Sequence, residues 1–152
     1  MSGADSTERF SDRVEAYLAG RPRYPQEVVA HLECIGALPA LPKRGVIADI
    51  GVGTGLSADP FLAAGHRVIG IEPNAPMRAA STEFLARHAN YEARDGTADA
   101  TGLADGAVDL VIAAQAFHWF DPRRFSAESL RILRPGGWAA LIWNDRDTAA
   151  TP

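Results

Sequence analysis

Residues 46–57 read Val46-Ile47-Ala48-Asp49-Ile50-Gly51-Val52-Gly53-Thr54-Gly55-Leu56-Ser57. The apolar run Val46-Ile47-Ala48 predicts a buried strand with Asp49 at its end. Gly51, Gly53 and Gly55 predict a tight loop, and Leu56 opens a helical pattern. A strand, a glycine loop and a helix in this order form a nucleotide-type site at the carboxyl end of a parallel strand. Glycines serve there because the backbone turns sharply and a ligand comes so close that a Cβ would obstruct it.

The spacing narrows the ligand. A dinucleotide site calls for G-x-G-x-x-G/A, with a pyrophosphate facing the helix N-terminus. Here the sixth position of that pattern is Leu56, and the loop reads D-x-G-x-G-x-G. An acid two residues before the first glycine repels a diphosphate and suits an ammonium group. The next apolar run, Val68 to Ile71, ends at Glu72, 23 residues after Asp49. A carboxylate there can accept from both hydroxyls of a ribose. An ammonium and a ribose without a phosphate describe S-adenosylmethionine. The plainer alternative is a glycine turn with surface acids.

Composition bounds the partners. A chain of 152 residues with 47% apolar and 22% charged residues predicts a single soluble globular domain over 1–152. Its net charge of −4 and its scattered basic residues, such as Arg23, Arg67 and Arg94, give no electrostatic reason to expect nucleic acid. No apolar run reaches membrane-spanning length, and the first residues lack a basic-then-apolar signal, so the expected location is the cytoplasm with no membrane partner. Cys34 is the single cysteine. It falls in the apolar pattern of a helix and reads as core. No cysteine pair or His-x-x-x-His spacing suggests a metal.

Outward from the loop, strands and helices alternate. Strands are expected near 46–50, 67–71, 90–94, 108–113 and 138–143, and helices near 56–64, 75–87 and 123–133. Asn74 reads as one N-cap, and Asp121-Pro122 as N-cap and first residue of another helix. Residues 95–107 read as a loop with a short turn. Ahead of the core, residues 1–44 form a helical segment. It has one helix over 7–19, an extended link Arg21-Pro22-Arg23-Tyr24-Pro25, and a second helix carrying Val28, Val29, Leu32 and Ile35. Alternation over 45–147 means an α/β fold with a doubly wound, mainly parallel sheet.

From Phe10 to Asp147 the chain resembles the class I S-adenosylmethionine-dependent methyltransferases, in particular a small-molecule branch. The motifs that carry the likeness are Tyr17 with Arg21-Pro22-x-Tyr24-Pro25, the Asp49 glycine loop, and Glu72-Pro73-Asn74-x-x-Met77. Gly96-Thr97-Ala98-Asp99, Val108-Asp109-Leu110-Val111, Gln115-Ala116-Phe117-His118-Trp119-Phe120 and Leu133-Arg134-Pro135-Gly136-Gly137 complete it. The resemblance implies a Rossmann-like fold with S-adenosylmethionine as cofactor. Asp49 would hold its ammonium, directly or through water, within a cradle of Gly51, Gly53 and Gly55. Glu72, followed by Pro73, would take the ribose, and Met77 would lie on the adenine. Ala98 and Asp99 would hydrogen-bond the adenine, although many relatives carry an acid where this chain has Thr97. Arg21 would pair with the cofactor carboxylate, covered by Tyr17 and Tyr24. Gln115 follows the fourth strand, where the reactive methyl should lie, and His118 is the candidate general base. Each has a plainer role open to it, as a capping acid, a packing tyrosine or a pocket wall.

The implied reaction is in-line transfer of a methyl group to a small organic acceptor, driven mainly by alignment. The residues after the fourth strand do not resemble the Asn/Asp-Pro-Pro-aromatic motif of amino-methylating DNA enzymes, and Cys34 is misplaced for a cytosine C5 enzyme. Two alternatives stay open: a non-catalytic cofactor-binding module, and an NAD(P)-dependent oxidoreductase, which Leu56 disfavours. Relatives generally continue past the fifth strand, so the last two strands of a seven-stranded sheet are expected to be missing. Residues 138–143 would then form an edge without lysine, proline or bulge, and self-association through it is expected.

Overall fold

The computed structural model describes residues 16, 19–21, 23–40 and 42–145. In chain order the elements are α1 (Glu27–Cys34), β1 (Val46–Ile50), α2 (Asp59–Ala63), β2 (Arg67–Ile71) and α3 (Ala75–Phe84). They continue with β3 (Tyr91–Arg94), β4 (Val108–Ala114), a 3-10 turn (Phe117–Trp119), α4 (Pro122–Ile132) and β5 (Leu133–Ile142). The expected helix over 7–19 lies mostly outside the described residues, and Tyr17 lies there too.

All strands pair in parallel, in the order β3-β2-β1-β4-β5. β1 is central, and both of its faces are covered. Ile47, with Val68, Leu110 and Ile112, packs against Val29, Phe61, Leu62 and Leu85 on one side. Ala48 and Ile50, with Ile69, Ile71 and Val111, pack against Phe125 and Ile132 on the other. A parallel strand buried on both faces has no polar side to show, which is why Val46 to Ile50 and Val68 to Ile71 read as nearly unbroken apolar runs. The chain moves outward from β1 to β3, then returns to β4 beside β1. The sheet's carboxyl edge therefore opens a crevice between the ends of β1 and β4, where ligands bind in such folds.

Polar ties hold the edges of this frame. Buried His66 accepts from Gly45 N–H through Nδ1 (2.9 Å) and meets the Glu33 carboxylate through Nε2 (2.8 Å), joining α1 to the start of β2. Asn74 caps α3 by accepting from Met77 N–H, and Asp121 caps α4 by accepting from Arg123 and Arg124 N–H. The loop after β3 is fastened to α4 where Thr101 donates to Glu128 through its backbone N–H (2.9 Å) and its hydroxyl (2.6 Å). The Arg131 guanidinium beside Glu128, together with those Thr101 donors, holds its carboxyl down to about 2.

Three expectations change. Cys34 is exposed, because α1 buries Val29 and Leu32 and Cys34 lies well around the helix from that stripe. The helix expected from residue 56 begins at Asp59, since residues 56–58 are still turning out of the glycine loop. β5 starts earlier than expected, at Leu133. Its register with β4 shifts between Val108↔Leu133 and Leu110↔Trp138, so two steps along β4 face five along β5. Gly137 makes this possible, because a Cβ there would lie 2.9 Å from Arg134 O and 3.0 Å from Asp109 O.

Gly55 sits at φ +96°, and a Cβ on it would lie 2.8 Å from Leu85 Cδ1. The absent side chain lets α3 settle against the loop. Gly55→Ala is therefore expected to cost about 1–3 kcal/mol through overpacking, seen as a lower urea midpoint with an unchanged slope. An unaltered midpoint would mean that α3 has room to move.

Candidate functional site

The glycine loop is held open by a carboxylate from the neighbouring strand. Glu72, just past β2, is 9% exposed. Its Oε2 accepts from Gly53 N–H (3.0 Å) and its Oε1 from Asn74 N–H (3.1 Å). A carboxylate has about four acceptor positions, so each oxygen keeps capacity for a ligand hydroxyl. Gly53 adopts φ +58°, in the left-handed region that favours glycine, and a Cβ on it would meet only Met77 Cε, at 3.6 Å.

Beneath the loop lies Asp49, with no exposed surface. Its Oδ2 accepts from Ser57 Oγ at 2.5 Å, while Oδ1 has no partner among the described residues. A buried carboxylate oxygen without a donor is costly. Burial pushes the Asp49 carboxyl up to about 7, the Ser57 hydroxyl opposes this, and the Glu72 charge adds to it. The carboxyl therefore keeps its proton in the folded state up to about pH 7, and Asp49 itself lines neither of the two cavities at this edge. Tyr91 on β3 feels the same setting: burial, with Asp49 and Glu72 adding to it, pushes its phenol up to about 12.

Two cavities open along the carboxyl edge. One of about 360 Å³ is lined by Arg21, Tyr24, Gly51, Val52, Gly53, Thr54, Leu56, Ser57, Glu72, Pro73, Met77, Ala114, Gln115, Ala116, Trp119 and Phe120. The other, of about 320 Å³, is lined by Gly51, Pro73, Gly96 to Asp99, Trp119 to Asp121, Arg124 and Phe125. They share Gly51, Pro73, Trp119 and Phe120, and so adjoin, together making a trough along that edge. Phe120 lies over Gly51, where a Cβ would be 3.2 Å from its Cζ. Trp119 stands at the shared wall, 81% exposed.

Most of the residues singled out in the sequence meet here. Arg21, Gly51, Gly53, Glu72, Pro73, Met77 and Gln115 line the larger cavity, and Ala98 and Asp99 the smaller. The Thr97 hydroxyl donates to Asp99 at 2.7 Å and holds that carboxyl below its usual range. Gly55 lines neither cavity, because its position serves the packing of Leu85. His118 lines neither cavity as well; it is exposed, with its ring 4.9 Å from Trp119. Ser57 was missed, since nothing in its spacing reveals that the turn brings it back onto Asp49. Trp119 and Phe120 line both cavities, and Phe120 also packs against the core cluster on that side of the sheet.

Comparison with known proteins gives one family. Residues 48–141 match the model of a methyltransferase domain. An uncharacterized methyltransferase of Mycobacterium tuberculosis is 39% identical over 150 residues, covering 96% of this chain and 56% of that protein. An uncharacterized methyltransferase-like protein of Schizosaccharomyces pombe is 33% identical, covering 91% and 52%. Among solved structures, a candidate type II methyltransferase of Anaeromyxobacter dehalogenans superposes with TM-score 0.71 at 34% identity, over 83% of this chain and 50% of that one. A SAM-dependent methyltransferase of Aquifex aeolicus gives 0.63 at 20% identity, over 83% and 78%, a likeness of fold alone. The chain spans about half the length of the curated relatives it matches.

The Asp49 setting has a stability signature. Unfolded, the carboxyl ionises near 3.8; folded, it keeps its proton to about 7. Between those values the folded state binds the extra proton, so the Asp49 contribution to stability falls as pH rises from about 4 to 7 and stays low above that. Asp49→Asn is therefore expected to gain stability over the unaltered chain progressively across that interval. Urea unfolding at pH 5 and pH 8 measures this, and a difference independent of pH would remove the assignment.

Proposed function

Since this chain belongs to the class I S-adenosylmethionine-dependent methyltransferases, we propose that its trough holds S-adenosylmethionine and serves methyl transfer to a small organic acceptor. The observation that carries the reading is the buried Asp49 carboxylate, one oxygen unpartnered among the described residues, directly under a glycine loop. A cationic ligand bound over the loop would favour the ionised form of that buried carboxyl; a diphosphate would face Asp49 and Glu72 together. The oxidoreductase reading is set aside on this ground and on family membership.

The residues divide the ligand between them. Glu72 takes the ribose hydroxyls with the acceptor capacity left after Gly53 and Asn74. Ala98 and Asp99 receive the adenine in the smaller cavity, and Arg21 receives the carboxylate in the larger. Bound there, the cofactor supplies an activated methyl group on a positively charged sulfur. Gln115, Trp119 and Phe120 wall the space where an acceptor meets it. With His118 outside both cavities, the described residues work by orientation and by excluding water rather than through a general base. A second reading, cofactor binding without turnover, rests on the chain spanning about half the length of its relatives.

Self-association is part of the proposal. β5 is the outer strand among the described residues, and Trp138, Leu141 and Trp143 are 45%, 38% and 52% exposed. Unpaired backbone groups beside apolar side chains are a template for a second copy. Light scattering should show association that Leu141→Lys reduces; an equal mass for both at high concentration would rule it out.

The cofactor assignment is tested by calorimetric titration with S-adenosylhomocysteine and, in parallel, NAD. The first should bind and the second should not. Glu72→Ala should lose about 1.5–3 kcal/mol, the range for hydrogen bonds to a charged group. Arg21→Ala should weaken S-adenosylhomocysteine far more than 5′-methylthioadenosine, which lacks the amino-acid group. Tight NAD binding, or an unchanged Glu72→Ala, would overturn the assignment.

A further inference from the structure

Gln115 stands apart in its backbone. It is the one non-glycine residue with positive φ among the described residues, at +52°. Such a conformation is unfavourable for a residue with a Cβ and persists where surrounding contacts enforce it. Two contacts do so. Its N–H donates to Ile142 O at 2.8 Å, anchoring it to the end of β5. Its side-chain Nε2 donates to the Tyr24 hydroxyl at 3.1 Å, across 91 residues of sequence. Both Gln115 and Tyr24 line the larger cavity.

Tyr24 lies in the stretch 23–25, which has no regular structure. Its neighbours are fastened on the outside of the core. The Arg23 guanidinium lies 3.7 Å from Asp59 and 5.6 Å from the centre of the Phe84 ring, and Gln26 Nε2 donates to Pro60 O at 2.7 Å. None of Asp59, Pro60 and Phe84 lines the cavity. The Arg23 contact is exposed and correspondingly weak. The Tyr24–Gln115 bond differs, because it joins this segment to the end of β4 at the cavity itself.

We infer that Tyr24 and Gln115 are a positioning pair, a latch by which the segment around Arg21–Tyr24 docks over the amino-acid end of the bound cofactor. The inference rests on the S-adenosylmethionine reading and goes beyond it in linking two events. Docking of the segment completes a wall that the ligand touches. Anything that favours docking raises affinity for a ligand reaching that wall, and the ligand favours docking by the same factor. The left-handed backbone at Gln115 aims the carboxamide toward Tyr24 instead of along the strand. Tyr24 would thus act on the ligand through the placement of Arg21 as well as through its own ring.

The test is a double-mutant cycle read with two ligands. Tyr24→Phe removes the hydroxyl alone, and Gln115→Ala removes the carboxamide while keeping a Cβ on the left-handed backbone. Each is expected to weaken S-adenosylhomocysteine by about fivefold or more, the lower end of common coupling, and the double variant no further than either single. Binding of 5′-methylthioadenosine should fall far less than that of S-adenosylhomocysteine, and an unchanged urea midpoint shows that the variants fold. In the unaltered chain S-adenosylhomocysteine should slow amide hydrogen exchange over residues 20–24, and in both variants that protection should be lost. Additive effects, or full protection in the variants, would overturn the latch. If the unaltered chain binds 5′-methylthioadenosine and S-adenosylhomocysteine while both variants match it, the latch fails and the cofactor reading stands. If the unaltered chain binds neither, both fall.

Discussion

One carboxylate organises the trough. Glu72 leaves the end of β2 and clasps two backbone N–H groups, Gly53 in the loop after β1 and Asn74 at the start of α3. Each bond has an ionised acceptor and is stronger than a neutral one. Together they fix three chain segments around a single side chain: the loop, the end of β2 and the cap of α3. Without that clasp the left-handed Gly53 has little to hold its N–H, and α3 loses the orientation of its first turn. The same group that shapes the cradle keeps acceptor capacity beyond those two bonds.

Below the clasp the electrostatics are deliberately unresolved. Asp49 is buried with one oxygen partnered and one without a partner among the described residues, and the Glu72 charge helps to keep its carboxyl protonated. A purely structural core would replace such a group with an apolar residue of like size. Its retention beneath the loop gives the site its sign. Strain is placed with similar economy: the left-handed Gln115 lies at the crevice wall, where a side chain aimed across the chain's path has a use. Local rules are broken in both places, and again at Asn144 just past β5, whose Nδ2 is buried without a partner among the described residues.

The sheet was legible because parallel strands covered on both faces must be apolar throughout. Val46–Ile50, Arg67–Ile71 and Val108–Ala114 fall where their runs of Val, Ile, Leu and Ala point. The caps at Asn74 and Asp121 were legible for a different reason: one short polar side chain ahead of a proline-bearing turn has few other uses. What escaped were contacts between distant parts. Ser57 on Asp49 and Tyr24 on Gln115 depend on how a loop turns in space, and spacing along the chain carries no trace of that. Cys34 misled because a helix of two buried positions tolerates an apolar side chain on its open face. Gly55 misled because a glycine in a ligand loop and a glycine under a packed leucine look alike in sequence.

The division of the trough into two adjoining spaces has its own consequence. Phe120, lying over Gly51, and Trp119 beside it separate two spaces of comparable size, about 360 and 320 Å³. A molecule that fills both is, physically, two fragments joined by a tether threaded past an aromatic ring. Each fragment alone must lose its translational freedom to bind, whereas the joined molecule does so once. The second end then docks at a high effective concentration set by the tether. Affinity for the whole consequently exceeds what its halves suggest, and the gain depends on tether length rather than on any added contact. A molecule that reaches both spaces draws on that gain, and one confined to a single space does not.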